Sequence, residues 1–343
     1  MKLKPSIASY NSNGLKARKM LNKEYIDVIS KIALEMTFMY EIKPDILKDL
    51  IELHVLKDVN GKVQLDTVVF LEDDILKIQN LANDVGRGLA EVLVREKNSL
   101  VDESPEIRNF LAAVISVTQG LSQYVYQNNL GSEWKDYTGE FAKTKVDFDE
   151  ECEIGNSIGE HLLKKSIIVG EKYTAVFIGP GGRNFGSAFS SLLSSDEYGQ
   201  YGNGILKYLT DSYGMLIEGE STNELLMNTA ENVGIFLNGK PKKILITEDV
   251  YNKHSEAMKV FKELSSNYYA SQMSKILEVL SETTSGKQGV NPDSMLMHFW
   301  RYFSRVLAKK LYEYEFLTDD VLVDGCVTVF FKNDIKKLSE SFQ

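Results

Sequence analysis

The sequence predicts an α+β protein of several domains, and three observations carry that prediction. Within residues 44–75 a helical apolar stripe gives way to period-two alternation around a tight turn. From about Tyr173 onward, strand-like runs alternate with glycine-rich turns and helical runs. The 343 residues exceed what one hydrophobic core usually organises, and residues 281–292, SETTSGKQGVNP, have the composition of a linker. The chain therefore divides into five parts. They are a basic arm (1–23), a helix–hairpin unit (24–72), a helical region (73–165), an α/β region (166–285), and a C-terminal helix plus β-hairpin (293–343).

The helix–hairpin unit is the most legible part. Tyr25 to Tyr40 reads as a helix, with Ile26, Ile29, Ile32, Ala33, Met36 and Met39 on one stripe. Pro44 suits a first helical position, and Asp45 and Asp49 stand near the positive end of the helix dipole. Ile46, Leu47, Leu50, Ile51 and Leu53 supply the apolar face of that second helix. Asn60-Gly61 is a hairpin-turn signal. Val63, Leu65, Thr67, Val69 and Leu71 then alternate with Gln64, Asp66, Val68 and Phe70 as a strand.

Before this unit, Lys2, Lys4, Lys16, Arg18, Lys19 and Lys23 precede the first acid, Glu24. Such a segment is either a solvated tail or an arm that tracks a phosphate backbone. After the unit, a helix begins at Glu72. Its Ile75, Ile78, Ala82, Val85, Leu89 and Val92 alternate steps of three and four. That face is either buried in its own domain or forms a dimer seam through Ile78, Val85, Leu89 and Val92. Gly86 and Gly88 mark a place where another helix could come close.

A further helix is expected over Pro105 to Asn128. The acidic run Asp147, Asp149, Glu150, Glu151 and Glu153 reads as a solvated linker or helix start, because its spacing does not match a calcium loop. Tyr173 to Ile178 and Lys242 to Thr247 read as strands, Glu248 to Leu264 and Ser294 to Tyr314 as helices. VLVDGCVTVFF reads as a hairpin around Asp324-Gly325. Its VTVFFKNDI echoes TVVFLEDDI at 67–75, a candidate second helix–hairpin copy.

Bulk composition bounds the function. Hydrophobic residues make up 43% and charged residues 26%, as in folded globular proteins. No apolar run reaches the roughly 18 residues of a membrane span, and the first residues lack a signal-peptide core, so a cytoplasmic, non-membrane protein is expected. Cys152 and Cys326 are far apart and read as reduced structural thiols. A net charge of -10 disfavours sequence-blind binding to nucleic acid.

Chemistry-bearing motifs are few. IGPGGRNFGSAF, Ile178 to Phe189, offers a strand, a Gly-rich loop and a helix start where Gly181, Gly182 and Arg183 could hold an anion. Asn184 breaks the dinucleotide fingerprint, and Ser187 stands where a P-loop requires lysine. A plain strand-to-helix turn needing positive φ explains the glycines equally well. His54, His161, His254 and His298 are scattered, each reading as a surface or core histidine. Glu248-Asp249 fits a carboxylate pair at a strand end or a helix N-cap. No catalytic constellation, metal site or cofactor is predicted.

Taken together, residues 25–75 resemble the winged-helix transcription regulators. A scaffold helix leads into the helix Pro44 to Leu56 in the recognition position, and then into a wing around Asn60-Gly61. The resemblance implies a recognition helix in the major groove and a wing on phosphate. DNA would then be held by the arm residues Lys2, Lys4, Lys16, Arg18, Lys19 and Lys23, with Lys48 and Lys62. Two departures qualify it. Two helices precede the wing where the family has three. Residues 25–75 also carry five lysines and no arginine against eleven acids, a net of -6. The expectation is a DNA-associated regulator whose C-terminal region senses a ligand or partner, alone or as a homodimer. The competing expectation is an assembly subunit that docks a protein through the same unit. An enzyme with a Gly-rich anion loop stands third.

Overall fold

A computed structural model describes residues 2–8, 18–35, 37–38, 41–96, 145–152, 163–180, 207–219, 224, 228, 236–237, 240–241, 244–246, 248–317 and 327–332. The protein is a mixture of helix and strand, and its contacts divide it into two units. The first comprises Met1–Val85, Leu121–Gly159 and Tyr269–Phe303, and the second Gly86–Gly120, Glu160–Tyr268 and Ser304–Gln343. Each unit thus gathers three separate segments, where the sequence suggested consecutive parts.

In the first unit, strand β1 (Leu3–Ala8) precedes a 3-10 turn, Arg18–Leu21, and helix α1 (Lys23–Leu34). Residues 3–8, expected in an arm, pair antiparallel with β6 (Lys145–Glu150), and Leu3 is buried. The Asn22 side chain caps α1 by accepting from the Glu24 N–H at 3.1 Å, and Tyr25, Ile29, Ile32 and Ala33 are buried. The helix stops at Leu34 rather than reaching Tyr40, because the chain turns extended at Glu35 and Thr37–Phe38 form strand β2. Helix α2 (Pro44–Glu52) follows, with Pro44 in its first turn and Ile46 and Leu50 buried.

Strands β3 (Leu56–Val59) and β4 (Lys62–Leu65) form a hairpin across Asn60 and Gly61, whose φ values of 57° and 80° suit this tight turn. Asp58 Oδ1 accepts from the Gly61 N–H at 2.8 Å. With β2 the hairpin makes a three-stranded antiparallel sheet, order β2-β4-β3. The single strand expected over residues 63–71 divides. Val69–Phe70 form a separate strand, β5, parallel to β6 in the sheet β1-β6-β5. The break falls where Asp66 N–H donates to the Val55 carbonyl and Thr67 Oγ1 donates to the Val146 carbonyl at 2.5 Å. The acidic run is likewise no linker at its start: β6 carries Val146, Asp147 and Phe148 into the interior.

Helix α3 (Glu72–Arg95), helix α4 (Glu248–Ser281), the single turn α5 (Thr284–Lys287) and helix α6 (Pro292–Glu313) complete the helices described here, with a further helical run over residues 207–217. Helix α4 continues well past Leu264. Ile78, Val85 and Leu89 are buried within the single chain and Val92 is half-buried. In the second unit, a Cβ on Gly86 would lie 2.9 Å from Val306 Cγ1, and one on Gly88 2.0 Å from the Tyr268 hydroxyl. The two glycines therefore admit close approach of α6 and α4.

The second unit holds a four-stranded mixed sheet, order β11-β12-β8-β7, from β7 (Leu163–Val169), β8 (Tyr173–Pro180), β11 (Ile244–Ile246) and β12 (Val327–Lys332). The short strands β9 (Phe236–Leu237) and β10 (Lys240–Pro241) pair with each other. Strand β12 lies between β8, antiparallel, and β11, parallel. Of the segment that echoes 67–75, β12 belongs to this larger sheet, and residues 318–326 before it lie outside the described residues. Asp211 caps the β7–β8 turn by accepting from the N–H groups of Glu171, Lys172 and Tyr173 at 2.7–2.9 Å. Residues 105–128, Gly181, Gly182, Arg183 and the turn Asp324-Gly325 lie outside the described residues.

Candidate functional site: the helix–hairpin face and its polar support

The face available for binding in the first unit is built from α2 and the β3–β4 hairpin. Burial of Ile46 and Leu50 turns Asp45, Lys48 and Glu52 outward, with Leu47, Asp49 and Ile51 half-buried beside them. Asp58, Val59, Asn60, Gly61 and Lys62 are exposed on the hairpin. Lysines on and around α2 are matched by carboxylates. Lys19 Nζ lies 2.7 Å from Asp49, Lys31 2.9 Å from Glu41, and Lys48 3.8 Å from Glu52, while Lys43 pairs with Glu24. The Glu41 and Glu24 hydrogen bonds hold the Lys31 and Lys43 ammonium groups above their usual pKa, so both stay charged and engaged. Asp49 also accepts from the Tyr25 hydroxyl at 2.6 Å. That hydrogen bond, then burial, then nearby acidic charge push the Tyr25 phenol up to about 12.

The lysines predicted to touch DNA are dispersed. Lys2 pairs with Glu151 at 2.6 Å, and Lys4 is an exposed position on β1. Lys16 lies outside the described residues, and Arg18 opens the 3-10 turn. Lys19 is tied to Asp49, Lys23 begins α1, Lys48 faces Glu52, and Lys62 begins β4. Of these residues, the described ones that belong to or pair with α2 and the hairpin are Lys19, Lys48 and Lys62.

Residues 283–289, which the sequence presented as a linker, form a polar knot against the strands of this unit. Thr283 Oγ1 accepts from the Gly286 N–H at 3.2 Å and donates to the Leu280 carbonyl at 2.6 Å. Ser285 Oγ donates to the Val69 carbonyl and accepts from the Val69 N–H. Gln288 accepts from the Leu65 N–H at 3.2 Å and donates to the Ile32 carbonyl at 2.7 Å. Lys57 Nζ donates to the Gly289 carbonyl at 2.8 Å. The buried Asp74 carboxylate accepts from the N–H groups of Leu71 and Thr284. Residues 283–289 thereby fix α1, β3, β4, β5 and the start of α3 to one another. Composition hid this role, because Ser, Thr, Gly and Gln serve turns and buried caps alike. The spacing Thr283-x-x-Gly286 after a long helix was the one available signal.

A second buried cluster joins α6 to β6. His298 Nε2 lies 2.8 Å from Asp149 Oδ1 and Nδ1 3.4 Å from Asp147 Oδ2. Thr67 Oγ1, whose proton goes to the Val146 carbonyl, lies 3.1 Å from Asp147 Oδ1. Phe70 and Tyr302 flank the imidazole at centroid separations of 5.0 and 6.0 Å. The alternation in KVDFDE was a legible strand signal, outweighed in the sequence by its acidity. Among the described residues no group of three or more His, Cys, Asp or Glu is arranged to hold a metal ion. No described helix is long and apolar enough to cross a membrane. No protein-family model, curated protein or solved structure matches the chain.

Proposed function

We propose that the helix–hairpin unit docks a protein and that the chain serves as a non-enzymatic interaction or assembly subunit. The carboxylate matched to each of Lys19, Lys31, Lys43 and Lys48 carries this reading. Such exposed pairs add little stability. They do cancel the positive potential that a phosphate backbone requires, since affinity for duplex DNA grows with the number of phosphates neutralised. Asp45 and Asp58 are exposed, beside the half-buried Leu47 and Ile51 and the exposed Val59. The partner that suits this chemistry is a protein surface with lysine or arginine around an apolar centre.

One observation favours the DNA-binding alternative. The order helix, strand, helix, hairpin with sheet order β2-β4-β3 is the arrangement expected of a winged-helix unit. The two readings separate by crosslinking in cells. A photoreactive residue in place of the exposed Lys48 should yield protein adducts, and Asp45→Lys/Glu52→Lys in the same background should remove them. Nucleic-acid adducts that survive those substitutions would favour the regulator.

A further inference from the structure

His298 lies on α6 with its side chain fully enclosed, and each ring nitrogen faces a different carboxylate of β6. The Asp147 side chain is 2% exposed and that of Asp149 is 23% exposed. A neutral imidazole carries one N–H and one lone pair. In this cage a neutral ring would set its lone pair against a carboxylate oxygen, whereas an imidazolium donates on both sides. Both nitrogens are committed, so neither can serve as a metal ligand or a proton shuttle.

We propose that His298 is a resident imidazolium and acts as a base-sensitive latch between the N-terminal half of α6 and the central strand β6. Among the described residues, the titratable groups shown against the ring are Asp147 and Asp149 from β6 and Tyr302 from its own helix, and β5 sets the apolar Phe70 against it. Burial works against the charge, but the Asp149 charge and the hydrogen bonds to Asp147 and Asp149 outweigh it, and the His298 pKa lies above its ordinary value. Because the folded value is raised, the latch is fully engaged below about pH 6.5, the value of an unperturbed histidine. It is lost as pH rises through the higher folded value. Strand β6 holds β1 on one side and β5 on the other, so release frees the strand on which that sheet depends.

The test is nitrogen-15 NMR of the full chain labelled at its four histidines, combined with hydrogen exchange of residues 145–150 across the same pH range. The His298 signals are those lost in His298→Gln. If that variant does not fold, single His54→Gln, His161→Gln and His254→Gln changes identify them by elimination. Two protonated ring nitrogens at neutral pH are expected, with a midpoint above about 6.5. Protection of β6 amides should fall at that midpoint, after correction for base catalysis of exchange itself. A single protonated nitrogen at neutral pH overturns the proposal, as does a midpoint at or below the ordinary value. A high midpoint with unchanged β6 protection overturns the latch.

Discussion

Ser285 engages both backbone groups of Val69: its hydroxyl donates to the Val69 carbonyl at 2.8 Å and accepts from the Val69 N–H at 2.7 Å. One side chain thus pairs the edge of β5 that no other described strand covers. Both residues are buried, and water cannot replace the hydroxyl. Ser285→Ala should therefore cost about 2 kcal/mol, the penalty for stranding buried backbone polar groups. Urea unfolding would register this as a lower midpoint with unchanged slope. A loss below a few tenths of a kcal/mol would mean the pairing is incidental.

Asp74 offers a second test of the same knot. Its carboxylate accepts from Leu71 N–H at 3.1 Å and Thr284 N–H at 3.1–3.2 Å. Asp74→Ala leaves two half-buried donors without their acceptor, with an expected cost of about 1–2 kcal/mol. Thermal unfolding should show this loss.

The hairpin turn tests a backbone argument. Gly61 has φ of 80°, a conformation a β-branched side chain rarely adopts. Gly61→Val should destabilise the hairpin by about 1–2 kcal/mol and broaden its amide resonances. Asn60→Gly, at φ 57°, should be nearly neutral by comparison.

The Tyr25 phenol should ionise well above the ordinary value. Its phenol is pushed up to about 12 by the Asp49 hydrogen bond, burial and acidic neighbours. The raised value means that the stabilisation is whole below about pH 10, the ordinary phenol value, and declines as pH rises through about 12. Absorbance titration of wild type minus Tyr25→Phe should reveal one phenol ionising near the upper value. A difference titrating near 10 would contradict the Asp49 contact.

Much of the local structure was legible in the sequence, for identifiable reasons. The Asn60-Gly61 turn, the Pro44 helix start and the Ile78 to Leu89 core stripe obey local rules of backbone and periodicity. Three features were hidden because tertiary partners decide them. Residues 3–8 have a strand only because β6, far along the chain, pairs with them. KVDFDE enters the interior because His298 faces its acids. SETTSGKQG becomes a knot because Val69, Leu65 and Asp74 present groups to it. The partners of the lysines were hidden for the same reason: Lys2 and Lys19 pair with Glu151 and Asp49, each supplied by another element. Removing residues 2–23 should therefore strip β1 from its sheet and lower stability, rather than leave the fold untouched.

The central claim is that the helix–hairpin unit meets protein and not a phosphate backbone. It is tested most directly by fluorescence anisotropy of a random-sequence DNA duplex titrated with the full chain at low and moderate salt. The account predicts no saturable rise in anisotropy even at low ionic strength, where phosphate contacts are strongest. Binding that weakens steeply with salt, and further when Lys48 and Lys62 are replaced by glutamine, would contradict it.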